Sequence, residues 1–202
     1  MDIDKINSNV LDVLKEISNI GSGNAITSLA AILGEKINMQ VPQVQILQLS
    51  EVTNILGSPE NSVCGIYFDI VEGINGNILF IFPLESVCYL VEKLMNRAIN
   101  NVYELNELEL SAVGEIGNIL AGSYITALSS LTKIKIMIST PAVTIDMAGA
   151  LLSVPAIPFG EIGDKVIFIQ TNFIEGVHNI DGYFFLIPQM DSLNKLLKAL
   201  GV

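Results

Sequence analysis

The sequence predicts an α+β fold made by tandem duplication, in which two long helices pack on one face of a continuous, largely antiparallel sheet. Three observations predict it. The segment 11–33 recurs as the segment 110–132, an offset of 99 residues. Each copy continues with β-rich stretches and a short helix, an order that favours a layer of helices on a sheet. The connection between the copies contains no Pro, Gly or Ser, unlike a linker between independent domains. We therefore expect one domain, 1–202, built from repeats at about 8–97 and 107–200 that are related by a pseudo-two-fold axis.

Identical residues recur at the offset of 99 along the first part of each repeat. In the first copy they are Leu11, Glu16, Asn19, Ile20, Gly23, Ile26, Thr27, Leu29, Pro42, Val44 and Ile46, and in the second Leu110, Glu115, Asn118, Ile119, Gly122, Ile125, Thr126, Leu128, Pro141, Val143 and Ile145. So many matches in one register indicate that the two copies fold alike.

The elements of each repeat follow from local patterns. Long helices are predicted near 8–33 and 107–131, the second with Asn106 and Glu109 as a capping box. Strands follow near 36–48 and 134–146, where Pro42 and Pro141 each shift the alternation by one residue and so predict a bulge. Further strands are predicted at 64–71, 77–83, 165–173 and 183–188, with "EGINGN" as the turn between the first pair. Short helices follow Pro83 and Pro188, where the offset has grown to 105, and we place the six extra residues near 149–164.

The composition excludes several classes of function. A net charge of −11 argues against nucleic acid or an anionic membrane as the main partner. No run of 18 apolar residues and no signal peptide is present, so we expect a cytoplasmic protein without membrane insertion. Cys64 and Cys88 are predicted to be buried thiols, with a disulfide as the alternative. His178 is the single histidine and is expected to be solvated in a hairpin turn, so the sequence predicts no zinc site.

Each long helix carries a polar stripe. Spacings of 4, 3 and 4 residues put Asp12, Glu16, Asn19 and Gly23 on one helical face, and Ser111, Glu115, Asn118 and Gly122 repeat them. A separate apolar face, expected to pack on the sheet, consists of Leu14, Ile17, Ile26, Leu29 and Leu33. Solvation alone does not account for the recurrence of two poor helix formers, Asn and Gly. Close approach of the two helices is an alternative explanation for the glycines but not for the asparagines. Gly21, whose counterpart is Leu120, has no explanation in this pattern.

The stripe indicates a particular chemistry. The sequence shows no nucleophile paired with a base, no metal-ligand cluster and no phosphate-binding loop. A carboxamide can both donate to and accept from one water and so fix its line of attack, which is much of what phosphoryl hydrolysis requires. A neighbouring glutamate would repel a phosphate unless it engages a cation on the partner. The pattern therefore predicts a phosphatase whose substrate brings its own metal and its own cation.

The spacing [DS]-x3-E-x2-N-x22-P occurs twice, in Asp12, Glu16, Asn19 and Pro42 and again in Ser111, Glu115, Asn118 and Pro141. With it the chain resembles the CheC/CheX/FliY family of chemotaxis phosphatases over essentially its whole length, and its two sites resemble those of CheC members. The resemblance implies hydrolysis of the aspartyl phosphate of the response regulator CheY. It implies that both asparagines orient the attacking water, that both glutamates pair with the lysine of CheY, and that Mg²⁺ comes with CheY. Asp12, Gly23, Ser111, Gly122, Pro42 and Pro141 are expected to support these residues or to contact the partner.

The resemblance also implies CheD, a receptor-modifying deamidase, as a second partner, although no residue of the sequence indicates it. A non-catalytic adaptor that binds CheD or the flagellar motor switch is the first alternative. A duplication that serves packing alone is the second. The sequence leaves open which of the two sites is more active.

Overall fold

The computed structural model describes residues 8–39, 43–99, 101–156, 165–175 and 178–201. Each repeat gives a long helix, two short strands, a short helix, a hairpin and a closing helix. The first repeat contains α1 (Ser8–Leu33), β1 (Ile37–Met39), β2 (Gln43–Gln48), α2 (Leu49–Ile55), β3 (Ser62–Glu72), β4 (Gly76–Pro83) and α3 (Leu84–Met95). After a 3-10 turn (Val102–Glu104), the second contains α4 (Glu107–Thr132), β5 (Met137–Ile138), β6 (Ala142–Met147), α5 (Ala148–Ala156), β7 (Lys165–Glu175), β8 (His178–Pro188) and α6 (Met190–Ala199).

The strands form one sheet in which the repeats exchange strands. Its order is β1–β7–β8–β4–β3–β5, with β2 also paired to β7 and β6 also paired to β3. Every pairing among the described residues is antiparallel. The two hairpins meet at the centre, where β4 pairs with β8. The first strands of each repeat therefore complete the hairpin of the other, which confirms the continuous antiparallel sheet.

The long helices pack on one face of this sheet, as predicted. Leu14, Ile17 and Leu29 of α1 are buried there among apolar side chains of the central strands, and Ile26 and Leu33 are partly buried. The phenylalanines and isoleucines of the sheet that join this core include Ile66, Phe68, Phe80, Phe82, Ile169, Phe173 and Phe184. The closing helices α3 and α6 contribute to the same core.

The short helices α2 and α5 cover the opposite face, and the sequence did not predict them. Val52 of α2 and Leu151 of α5 are buried against Leu79, Phe168 and Phe185 of the sheet. These helices have only 7 and 9 residues. Helical periodicity needs a window of about 11 to 18 residues to be recognised, which explains why their pattern was missed.

Several local predictions are confirmed. The capping box is present, because the Glu109 N–H donates to Asn106 Oδ1 (3.1 Å) and the Asn106 N–H donates to Glu109 Oε2 (2.9 Å). The turn between β3 and β4 uses Gly73 at φ +95° and Gly76 at φ +155°, which glycine tolerates best.

The predicted bulge at Pro141 is also present. Tyr67 pairs with Ala142 and Ile70 pairs with Ile138, so three residues face two across the break. The corresponding prediction at Pro42 lies outside the described residues.

The six extra residues of the second repeat fall in two places. The offset is 99 at the starts of α2 and α5 (Leu49 and Ala148), 103 at the ends of β3 and β7 (Glu72 and Glu175), and 105 at Pro83 and Pro188. The placement near 149–164 is therefore right for the first part of the insertion. The rest lies in the β7–β8 hairpin.

His178 and the cysteines depart partly from expectation. His178 is exposed, but it begins β8 and stacks on Tyr89, with ring centroids 4.6 Å apart. Both cysteines are free thiols, Cys64 buried and Cys88 only half-buried. Burial raises the pKa of the Cys64 thiol to about 12. Among the described helices none is long and apolar enough to cross a membrane.

Candidate active site

The two polar stripes lie on the outer surface of α1 and α4. All four members of the stripe on α1 are exposed, and in α4 three are exposed and the glycine, Gly122, is half-buried. The exposed members are Asp12, Glu16, Asn19 and Gly23 in α1, and Ser111, Glu115 and Asn118 in α4. Because the apolar face of each helix is held against the sheet, the fold fixes the direction in which these side chains point.

The glutamates and asparagines of the stripes are not bound to other side chains or to the backbone in the described part of the fold. Within the described part of the chain, Glu16, Asn19, Glu115 and Asn118 have no hydrogen bond or ion pair with another residue. Asp12 has an ion pair with Lys15, 3.6 Å between Oδ1 and Nζ, but both side chains are more than half exposed. Such a pair adds little to stability. An asparagine within a helix lowers helix propensity, so its recurrence without an internal partner indicates a role outside the fold.

The glycines of the stripes stand in open space. A Cβ built on Gly23 or on Gly122 would meet no atom within 4 Å. The alternative in which these two glycines allow close approach of the helices is therefore wrong. The open space lies one helical turn from each asparagine, on the same face.

The two long helices make their closest glycine contact elsewhere, at Gly21. This residue faces Tyr124 of α4, whose hydroxyl lies 2.6 Å from Ser22 Oγ and 2.6 Å from Thr171 Oγ1 of β7. All three hydroxyl-bearing residues are buried. Burial raises the pKa of Tyr124, although the hydrogen bonds with Ser22 and Thr171 oppose the shift. The network fixes α1, α4 and the sheet relative to one another.

Two glycines on the inner face of α4 allow this helix to lie close to the sheet and to Pro141. A Cβ on Gly117 would lie 2.7 Å from Ile66 of β3, so at this point the helix backbone rests directly on the sheet. A Cβ on Gly114 would lie 3.5 Å from Pro141 Cγ. Pro141 thus lies beneath the turn that carries Glu115. Sequence reasoning missed these two glycines because their counterparts in α1, Lys15 and Ser18, are not glycines.

The structure places the remaining candidates as follows. Pro42, expected to support the first site, lies outside the described residues. No group of three His, Cys, Asp or Glu residues able to hold a metal ion occurs in the ranges that the structure describes. The chemistry that the stripes themselves offer is hydrogen bonding by a carboxamide and charge pairing by a carboxylate.

Comparison with known proteins gives consistent matches. The CheC-like family model matches residues 10–46 and 108–145, which contain both stripes. The CheY-P phosphatase CheC of Bacillus subtilis (strain 168) is 33% identical over 195 residues, 95% of this chain and 93% of that protein. The flagellar motor switch phosphatase FliY of the same organism is 27% identical over 143 residues, 70% of this chain and 37% of that protein. The crystal structure of Thermotoga maritima FliY is 26% identical, with a TM-score of 0.76 over 98% of both chains.

Proposed function

This chain belongs to the CheC-like family, and we propose that it is a phosphatase that hydrolyses the aspartyl phosphate of the phosphorylated response regulator CheY. One observation carries the proposal. Each long helix presents a glutamate and, one turn later, an asparagine that are exposed, have no partner among the described residues and stand beside open space. The two helices present this set in the same order and spacing.

We propose that Asn19 and Asn118 are the catalytic residues that hold the attacking water. The amide NH₂ of each would donate to the water oxygen or the phosphoryl oxygens, and the amide carbonyl would accept a proton of the water. Water attacks phosphorus in line, the bond between phosphorus and the aspartyl oxygen breaks, and the products are the aspartate carboxylate and inorganic phosphate. Positioning of this kind lowers the barrier without a covalent intermediate on this chain.

Glu16 and Glu115 are proposed to pair with the phosphate-binding lysine of CheY. A carboxylate beside an anionic phosphate is unfavourable unless a cation lies between them. Pairing with a partner lysine satisfies the glutamate and also orients the partner at the asparagine. The Mg²⁺ ion that balances the phosphate charge is proposed to come with CheY, because this chain is not proposed to hold a metal of its own.

Gly23 and Gly122 are proposed to provide the clearance that docking requires. A side chain at either position would project into the open space beside the asparagine. The asparagine must reach a phosphoryl group inside another protein, so the backbone of that protein has to come close to the helix. A glycine one turn away leaves that volume free.

The remaining expectations stay predictions. These are the single domain made of repeats at about 8–97 and 107–200, binding of CheD, and the cytoplasmic location. The strand exchange between the repeats supports the single domain, because β2 pairs with β7 and β6 pairs with β3.

The proposal is tested by the decay of phosphorylated CheY with catalytic amounts of wild type, Asn19→Ala, Asn118→Ala and the double variant. We expect partial loss in each single variant and near-complete loss in the double. Asn54→Ala is the matched control, since Asn54 is exposed on α2, on the other side of the sheet. Unchanged decay with a folded double variant would contradict the proposal, and retained binding of CheD by that variant would then favour the adaptor.

A further inference from the structure

A groove of about 480 Å³ lies between α1 and α4 beside the second stripe. Its walls come from both repeats: Asn24, Thr27 and Ser28 of α1, and Asn118, Ile119, Gly122, Ser123 and Thr126 of α4. Asn118 and Gly122 of the second stripe therefore line it, whereas Asn19 and Gly23 of the first do not. The groove opens onto one of the two candidate sites.

The lining of the groove is uncharged and consists of polar residues except for Ile119 and Gly122. None of its residues is acidic or basic, although the chain has a net charge of −11. The Thr27 hydroxyl donates to the Gly23 carbonyl (3.0 Å) and the Ser123 hydroxyl donates to the Ile119 carbonyl (2.8 Å). The exposed Thr27 hydroxyl can still accept a hydrogen bond from a partner, whereas Ser123 is buried. Asn24 is exposed and has no hydrogen-bond partner within the described ranges, so its amide can both donate and accept.

The residues of α4 at the equivalent positions do not give the first stripe the same wall. The counterpart of Asn24 is Ser123 and the counterpart of Ser28 is Ala127. Ser123 is buried and already donates within its own helix, and Ala127 is 1% exposed and has no polar group in its side chain. The near-symmetry of the repeats is thus broken at the groove.

We propose that this groove is a second contact surface for the phosphorylated response regulator when it docks at Asn118, so that α1 of the first repeat completes the site of the second. This inference rests on the proposed phosphatase function. An aspartyl phosphate is an anion, and the acidic surface of this chain repels it. The groove residues beside Asn118 are neutral and can form hydrogen bonds. The polar surface of the response regulator around its phosphorylated aspartate can therefore pack against them without like-charge repulsion.

The test is Asn24→Asp, which changes the side chain by one charge and almost no volume. It is combined with Asn19→Ala, in which only the second site keeps its asparagine. It is combined separately with Asn118→Ala, in which only the first site keeps its asparagine. We expect Asn24→Asp to lower kcat/KM for phosphorylated CheY by about five-fold more in the Asn19→Ala background than in the Asn118→Ala background. This difference should shrink at high salt, because screening weakens repulsion between exposed charges.

Asn54→Asp is the control, since it adds the same charge at an exposed helical asparagine on the other side of the sheet. Equal losses in the two backgrounds, or no loss with Asn19→Ala, would overturn the inference while the phosphatase function stands. Activity retained by the Asn19→Ala/Asn118→Ala variant would instead overturn the proposed function. The two failures are therefore distinguishable.

Discussion

Gly21 of α1 lies directly against Tyr124 of α4, so that a Cβ on Gly21 would be 2.6 Å from Cδ1 and 3.1 Å from Cα of the tyrosine. Their counterparts in the other repeat are Leu120 and Ala25. At this contact α1 therefore supplies the small residues and α4 the large ones. Two large side chains from near-identical helices cannot occupy the same point, which explains why the sequences diverge here.

Gly21→Ala should destabilise the protein, although alanine is the better helix former. The new methyl group would overlap the Tyr124 ring, which is buried and held by its hydrogen bonds with Ser22 and Thr171, and it would also crowd the Tyr124 Cα. We expect the free energy of unfolding to fall by about 1–3 kcal/mol, measured by urea denaturation. Gly23→Ala is the control two residues away in open space and should raise stability by about 0.5–1 kcal/mol. A Gly21→Ala variant as stable as wild type would contradict the close contact.

Gly23→Ala and Gly122→Ala should separate stability from activity. Both positions are helical with open space in front of them, so alanine gains helix propensity without a clash. If that space receives the backbone of CheY, the methyl group displaces the partner from the neighbouring asparagine. We expect the decay of phosphorylated CheY to slow on the order of ten-fold when both glycines are replaced. Full activity in a stabilised double variant would refute the clearance role.

Tyr124→Phe should weaken the contact among α1, α4 and the sheet. It leaves Ser22 and Thr171, both buried, without the hydroxyl that they share. We expect a loss of about 1–3 kcal/mol in the free energy of unfolding near neutral pH.

The same substitution should change how the free energy of unfolding depends on pH in alkaline solution. Because burial raises the pKa of Tyr124 in the folded chain, the unfolded chain loses this proton first. Stability is therefore fully present below the ordinary tyrosine pKa of about 10 and falls as the pH rises above it. Tyr124→Phe should show a shallower decline. If the free energy of unfolding falls as steeply with pH in Tyr124→Phe as in wild type, Tyr124 is not the group responsible for the decline.

Asn106→Ala should destabilise the start of α4. The Asn106 side chain accepts from the Glu109 N–H, and Glu109 is buried and has an ion pair with Arg97. Loss of the cap should cost about 1 kcal/mol in thermal or urea unfolding. Asn54→Ala, an exposed change on α2, should leave stability within about 0.5 kcal/mol of wild type.

The parts of the fold that sequence could predict are those with a local signal or a repeat. The capping box at Asn106, the bulge at Pro141 and the stripes on the long helices depend on residues a few positions apart, and the repeat doubled the signals of the bulge and the stripes. The pairing of β2 with β7 depends on distant residues and left no local pattern. The role of Gly21 became visible only once Tyr124 was placed beside it. The groove likewise depends on which residues of α1 face α4, and the spacing of either helix alone does not determine that.

The most direct measurement is the decay of phosphorylated CheY at saturating concentrations of the Asn19→Ala/Asn118→Ala variant. Saturation removes differences in binding, so the decay rate constant reports the chemical step. Loss of a positioned hydrogen-bonding group costs ~10²–10³ in rate. We predict that the double variant binds phosphorylated CheY but leaves its decay close to the rate of CheY alone. Decay at the wild-type rate with a folded double variant would contradict the role of the two asparagines.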